Sequence, residues 1–184
     1  MKFGGVLMKT VLILRHAKSD WGNSGQTDFE RPLAKRGLED APRMGEVLAR
    51  FGYVPDKILA SPAQRAKQTA QLAAEACGYR KAIQWEESFY GGSSEDLMAA
   101  LQQLPTTVER ALLVGHNPTL EETVAVLSNP QGGKERWTNG WAIKLPTAGL
   151  VCINFDITDW QELEPGEGVL QWFVIPKLVK ALLE

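Results

Sequence analysis

Three short runs of the chain are apolar almost without a break: Thr10–Leu14 (TVLIL), Lys57–Ala60 (KILA) and Arg110–Val114 (RALLV). Short continuous runs of this kind read as strands buried on both faces, as in a parallel sheet. Between them the period changes. Leu38, Ala41, Met44, Leu48 and Phe51 recur at three- and four-residue steps, which predicts an amphipathic helix ended by Gly52. Pro42 inside that pattern predicts a late start or a distorted first turn. Ser61-Pro62 reads as an N-cap residue followed by proline at the first helical position, with the helix running to about Ala76 and closed by Gly78. Ala82–Glu86 reads as a third strand. Ser93 or Ser94 caps a helix through Leu104, and Asn117-Pro118 repeats the cap-plus-proline start of a helix to about Leu127.

The last third changes character. Trp141–Leu145, Leu150–Asp156 and Val169–Ile175 read as strands, parted by Pro146-Thr147-Ala148-Gly149 and Pro165-Gly166-Glu167-Gly168 turns, with a short helix after Pro176. The order β-α-β-α-β-α-β-α-β-β-β predicts an α/β fold, a three-layer α/β/α sandwich with a mainly parallel central sheet. The 184 residues fit one domain over 1–184, with 1–7 a loose extension ahead of a second candidate start at Met8. Residues 18–32 are polar and carry Gly22, Gly25 and Pro32, a long loop of the kind that often serves function.

Composition narrows the function classes. The chain is 44% apolar and 23% charged, ordinary for a globular protein. Lys plus Arg is 20 against 22 for Asp plus Glu, a net charge of -2 that argues against a nucleic-acid or anionic-membrane partner. The apolar runs are too short to span a membrane, and Met1–Leu7 lacks the apolar core of a signal peptide. Cys77 and Cys152 show neither a CxxC nor a Cys-x5-Arg spacing, so they read as buried thiols in a reducing compartment, the cytoplasm. Two histidines are too few for a histidine-based metal site, and Gly132-Gly133-Lys134 lacks the Walker A spacing. No metal or cofactor is expected.

Both histidines stand directly after a continuous apolar strand: Arg15-His16 after TVLIL, and Gly115-His116-Asn117-Pro118 after RALLV. In open α/β sheets the C-terminal strand ends form the ligand crevice, so the two imidazoles are expected on one edge. One such histidine alone would read as an ordinary polar residue; two in matched positions read as a site. Arg65 falls in the first turn of the helix after KILA, where free N–H groups already favour an anion and a guanidinium adds a bidentate fork. Its bland alternative is a solvated charge paired with Glu75 or Asp56. Two histidines, two arginines and helix N-termini on one edge point to phosphate chemistry. A neutral imidazole is a competent nucleophile near neutral pH, and the arginines would stabilise the equatorial oxygens.

At this point the motifs resemble a known family. Leu14-Arg15-His16-Ala17-Lys18-Ser19 is similar to the Arg-His-Gly signature of the histidine phosphatase (phosphoglycerate-mutase-like) superfamily. Ala17 in place of Gly, followed by Lys-Ser, looks like its SixA-type phosphohistidine phosphatase branch. Arg31-Pro32-Leu33 with Gly37, Ser61-Pro62-Ala63-Gln64-Arg65-Ala66-x-Gln68-Thr69-Ala70 and Val114-Gly115-His116-Asn117-Pro118 continue the agreement in the family's order over residues 10–120. The resemblance implies His16 as nucleophile and phosphate carrier, Arg15 and Arg65 as clamps on the phosphoryl group, and His116 as a donor to it. It further implies that Lys18, Ser19, Arg31 and Asn117 line the pocket. Ser61 reads as a helix cap first and a site residue second.

The general acid stays open, with Glu86, Glu87 and Asp20 as candidates. A missing acid would suit an imidazole or aryl leaving group, which needs less protonation than an alkoxide. Trp137, Trp141, Trp160 and Trp172 read as packing residues, and Lys134-Glu135-Arg136 as a solvated loop. The expected function is a metal-independent phosphatase acting through phospho-His16 on a phosphohistidine-bearing protein. The alternatives are a small-molecule phosphomonoesterase of the same fold, acting on a phosphorylated metabolite, and a catalytically idle phosphate-binding module.

Overall fold

A computed structural model describes residues 8–22, 25–128 and 143–183. β1 is Lys9–Arg15, α1 Lys35–Arg50, β2 Lys57–Ala60 and α2 Gln64–Cys77. β3 is the short Gln84–Trp85, followed by a single 3-10 turn at Glu87–Phe89. α3 is Ser94–Gln102, β4 Arg110–Gly115 and α4 Thr119–Ser128. β5 is Leu150–Phe155, β6 Val169–Val174 and α5 Pro176–Leu183.

The six strands form one sheet in the order β3-β2-β4-β1-β5-β6. β1 to β4 are parallel, and β5 and β6 run antiparallel on one side. Apolar residues at successive positions of β1 serve two cores at once. Leu12 and Leu14 pack with Met44, Leu48, Ala66 and Ala70 of α1 and α2. Val11 and Ile13 pack with Leu97, Leu101, Leu120 and Val124 of α3 and α4. That is why TVLIL carries no polar alternation: both faces are covered.

The helix starts explain themselves locally, with corrections to the sequence reading. Ser93 caps α3 through the Asp96 amide while Asp96 bonds back to the Ser93 amide, a capping box. Gly78 closes α2 at φ 80°, a left-handed position that glycine takes at little cost. α1 runs unbroken through Pro42, neither starting late nor stopping there. An interior proline costs about 3 kcal/mol. Burial of Met44, Val47 and Leu48 contributes about 1.5–3 kcal/mol each and outweighs it. α2 starts at Gln64 rather than after Ser61, and the strand expected at Trp141–Leu145 is absent from its described part, residues 143–145. There the Leu145 amide donates to Glu121 Oε1, and its carbonyl accepts from Arg15 and Asn117. Side chains have taken the groups that a ladder would use. Trp141, with Trp137, Lys134-Glu135-Arg136, Gly132-Gly133 and Met1–Leu7, lies outside the described residues.

Trp160 is fully buried and donates to the Val108 carbonyl at 2.8 Å, and Trp172 packs edge-on against Tyr53, so both are packing residues. Cys77 and Cys152 are buried and unbridged. Among the described residues, no helix is long and apolar enough to cross a membrane.

Candidate active site

Register brings the candidates together. Arg15 pairs with Gly115 across β1 and β4, and Ala60 pairs with Val114 across β2 and β4. His16, His116 and Ser61 therefore leave three adjacent strands at about the same height. Backbone bonds extend the ladder one step past the strands: His16 donates to the Gly115 carbonyl, and Ser61 to the Val114 carbonyl. The His16 and His116 rings lie 5.1 Å apart, centroid to centroid.

Each ring is held by one edge. His16 is 8% exposed, and its Nδ1 lies 2.8 Å from the Ala17 carbonyl. A carbonyl accepts only, so Nδ1 carries the proton and Nε2 carries the lone pair. Arg65 Nε donates toward that Nε2 at 3.4 Å. Burial, with the Arg65, Arg15 and Arg31 charges behind it, pulls the His16 pKa down to about 4 against the weaker effect of the Ala17 carbonyl. His116 Nε2 is 2.9 Å from Ser61 Oγ. Burial, then His16 and Arg65, pull its pKa down to about 3. Both imidazoles are neutral at pH 7.

Arg65 is not the solvated charge of the bland reading. It is 5% exposed and pairs with neither Glu75 nor Asp56. Its Nη1 donates to the Asp28 carbonyl at 2.6 Å and its Nη2 to Asp28 Oδ2 at 2.9 Å. Arg31 meets Asp28 Oδ1 at 2.6 Å, and its guanidinium lies over the Trp21 ring, 3.6 Å from the centroid. Tyr90 donates to Asp28 Oδ2 at 3.1 Å and sets its ring edge-on to His116. Burial pushes the Asp28 carboxyl up, but Arg65, Tyr90 and Arg31 together outweigh it, and it sits below its ordinary value. Asp28 is a carboxylate here, not an acid.

Ser61 and Asn117 read as caps from sequence; Ser61 Oγ does accept from the Ala63 amide at 3.3 Å just before α2, and both side chains also act elsewhere. Ser61 holds His116. Asn117 Nδ2 donates to Glu121 Oε1 at 2.7 Å and to the Leu145 carbonyl at 2.9 Å, where Arg15 Nη1 also donates at 2.8 Å. Of the remaining candidates, Ser19 is buried in a bridge to Leu33, and Lys18 is exposed. The Lys18 carbonyl accepts from the Ala34 amide, and an added Cβ at Gly37 would collide with that same oxygen, so only glycine lets α1 approach the loop after His16. None of the general-acid candidates hydrogen-bonds the histidines or Arg65. Glu86 takes a bond from Gln84, Asp20 turns back to the Gly22 amide, and Glu87 is exposed.

Four buried side-chain polar atoms among the described residues have no partner: Arg15 Nε, Arg31 Nε, His116 Nδ1 and Asn117 Oδ1. All four belong to residues singled out from sequence. A buried polar group left unpaired costs about 1–3 kcal/mol, so these four atoms are donors and acceptors open to a bound group. Three of them are nitrogens of cationic or imidazole groups, which suits an anion. Asp28, Tyr90 and Glu121 escaped the sequence reading. The available signals were spacings alone: Asp28 three before Arg31, and Glu121 four after Asn117.

Comparison with known proteins bears on the family and the fold. The family profile of the histidine phosphatase superfamily (branch 1) matches residues 11–104. An uncharacterised protein of Mycobacterium tuberculosis is 30% identical over 89% of this chain and 100% of its own length. The crystal structure of a provisionally named phosphohistidine phosphatase SixA from Agrobacterium tumefaciens is 30% identical, covers 91% of this chain and 98% of its own, and superposes with a TM-score of 0.73. The structure of the protein histidine phosphatase SixA complexed with tungstate shares the fold at a TM-score of 0.76, with 21% identity over 92% of this chain and 99% of that one. The matched profile carries Arg15, His16 and Arg65, the fold carries His116 to meet them, and the chain belongs to the histidine phosphatase superfamily, in its SixA-like branch, as a phosphatase.

Proposed function

We propose that this phosphatase transfers the phosphoryl group of its substrate to His16 Nε2 and then to water, and that its substrate is a phosphohistidine-bearing protein in the cytoplasm. One observation carries the reading. His16 Nδ1 faces a carbonyl at 2.8 Å, which leaves the Nε2 lone pair of a neutral, buried imidazole beside Arg65. Attack by Nε2 in line with the leaving group forms the N–P bond as the bond to the leaving group breaks. Arg15, Arg65 and the unclaimed Nδ1–H of His116 stabilise the equatorial oxygens, with the Ser61 hydroxyl donating to His116 Nε2. Water then attacks phosphorus, releases phosphate and restores the imidazole. The arginines supply the positive charge, so the reading asks for no metal.

The carboxylates favour the phosphohistidine substrate over an alkyl phosphate. Glu86, Glu87 and Asp20 do not bond the site, and Asp28 is held ionised by its arginines. An imidazole or aryloxide leaves without strong protonation, whereas an alkoxide needs it.

The test is phosphate release from p-nitrophenyl phosphate and from a phosphohistidine protein, by wild type and His16→Ala, with EDTA present. Turnover of the phosphohistidine protein, lost in the variant, is expected. Turnover of the aryl phosphate alone would move the substrate to small molecules. Binding of phosphate by a folded protein that turns over neither compound would make it a binding module.

A further inference from the structure

Asp28 gives every one of its oxygens to the site while its own side chain stays half exposed, at 51%. Its main-chain carbonyl and Oδ2 take the two outer nitrogens of Arg65, at 2.6 and 2.9 Å. That grip leaves Arg65 Nε as the edge turned to His16. Its Oδ1 takes Arg31 Nη2 at 2.6 Å. Arg31 is pinned from the other side by the Trp21 ring, and it lies close enough to His16 to contribute to its lowered pKa. Arg31 is therefore a cation near His16 whose Nη2 is already held by a carboxylate, which offsets part of its charge.

We propose that Asp28 is a positioning and specificity-determining residue. It orients Arg65 toward His16, and by offsetting part of the Arg31 charge it selects phosphoryl groups on carriers that bear no second anionic group next to the phosphate. This rests on the phosphoryl-transfer reading above and narrows it. A neutral imidazole or phenol ring meets no repulsion from Asp28, whereas a carboxylate or second phosphate on the carrier meets a negative neighbour that already holds Arg31 Nη2. Like charges placed together in a specific site are a recognised device for rejecting wrong partners.

Asp28→Asn tests the charge with little change of shape. Its amide oxygen and its main-chain carbonyl remain to accept from Arg65. The measurement is the ratio of kcat/KM for phenyl phosphate to that for 3-carboxyphenyl phosphate in wild type, Asp28→Asn and Asp28→Glu. Wild type is expected to prefer phenyl phosphate. Asp28→Asn should shift the ratio at least about fivefold toward the carboxylated compound, since one charge at contact distance is worth about that much even in bulk water. Asp28→Glu should keep the wild-type preference. A purely structural residue would lower both rates and leave the ratio alone, so a ratio unchanged within about twofold in folded Asp28→Asn overturns the proposal. If wild type hydrolyses neither compound, the phosphoryl-transfer reading rests on the phosphohistidine protein alone and fails only if that is not turned over either. Calorimetric binding of the same two compounds to the same proteins then decides charge selection separately: a shifted affinity ratio supports it, and an unshifted one removes it.

Discussion

Two aspartates in this molecule each hold two arginines, and they do so with burial reversed. In α1, Asp40 is the buried partner at 7% side-chain exposure, with Arg36 at 68% and Arg43 at 21%. Each arginine stands about one turn from Asp40 on a single helix, at spacings that face it. At the strand ends the cations are inside, Arg65 at 6% and Arg31 at 13%, and Asp28 is the half-exposed partner. Its arginines come from a loop and from α2. The α1 carboxylate spends both oxygens on its arginines, and Asp40, Arg36 and Arg43 leave no unpaired buried atom. The other trio leaves Arg31 Nε unmatched, and Arg15 Nε and His116 Nδ1 beside it. A closed set of charges holds a fold together; buried cations with donors to spare await an anion. Counting ion pairs would not separate the two, whereas burial and leftover donors do.

The contrast predicts that changes at the strand ends cost activity without stability, and changes around Asp40 the reverse. The largest effect should come from His16→Ala: at least about a thousandfold loss of turnover, as when a nucleophile is removed, with unfolding in urea unchanged or raised in midpoint. Substantial remaining turnover would remove His16 from the chemistry. Arg65→Ala should cost about 2.7–4 kcal/mol of transition-state stabilisation, the scale of one lost oxyanion donor; near-wild-type kcat/KM would place it in the scaffold beside Asp40. Asp40→Asn should lower the free energy of unfolding by about 1–3 kcal/mol, the range for hydrogen bonds to charged groups, while kcat/KM stays put. A drop in kcat/KM with intact stability would break the comparison from the other side.

A further effect is in pH. His16 and His116 bind a proton in the unfolded chain near 6.5 but in the fold only at about 4 and about 3. Between those values the unfolded state holds more protons, so stability falls as pH drops from about 6.5 and the fall flattens below about 3. His16→Ala should flatten part of that slope in a series of melting temperatures. The same shift keeps the His16 lone pair free well below the range of an exposed histidine. The acid limb of kcat/KM due to His16 therefore belongs near pH 4; a limb near 6.5 assigned to His16 would contradict the burial argument.

Much of this was legible in the sequence because burial on both faces leaves a plain signature. TVLIL, KILA and RALLV became β1, β2 and β4, and the residues just after them became the site. The misreadings cluster at the same place for one reason. Ser61-Pro62 and Asn117-Pro118 have cap chemistry, but the Ser61 hydroxyl meets His116, and the Asn117 amide is spent on Glu121 and Leu145. A polar side chain at a strand end serves either a helix start or a site, and only the third dimension says which. Asp28 and Tyr90 were silent because they sit in a polar loop and beside a single 3-10 turn, where no period marks a face. Pro42 misled because propensity is local and the burial that overrides it is not.

The place of β1 in the sheet has a consequence for the protein as it is being made. Leu12 pairs with Leu112 on one side and with Cys152 on the other. β1 is thus completed late, because both of its neighbours in the sheet follow it by about a hundred residues or more. A nascent chain carries His16 and Arg65 long before it carries His116 or the Leu145 carbonyl that steadies Arg15. The Gly115 carbonyl that takes the His16 amide, the His116 ring beside it and the Leu145 carbonyl all come later in the chain, so the grouping exists only once they are in place.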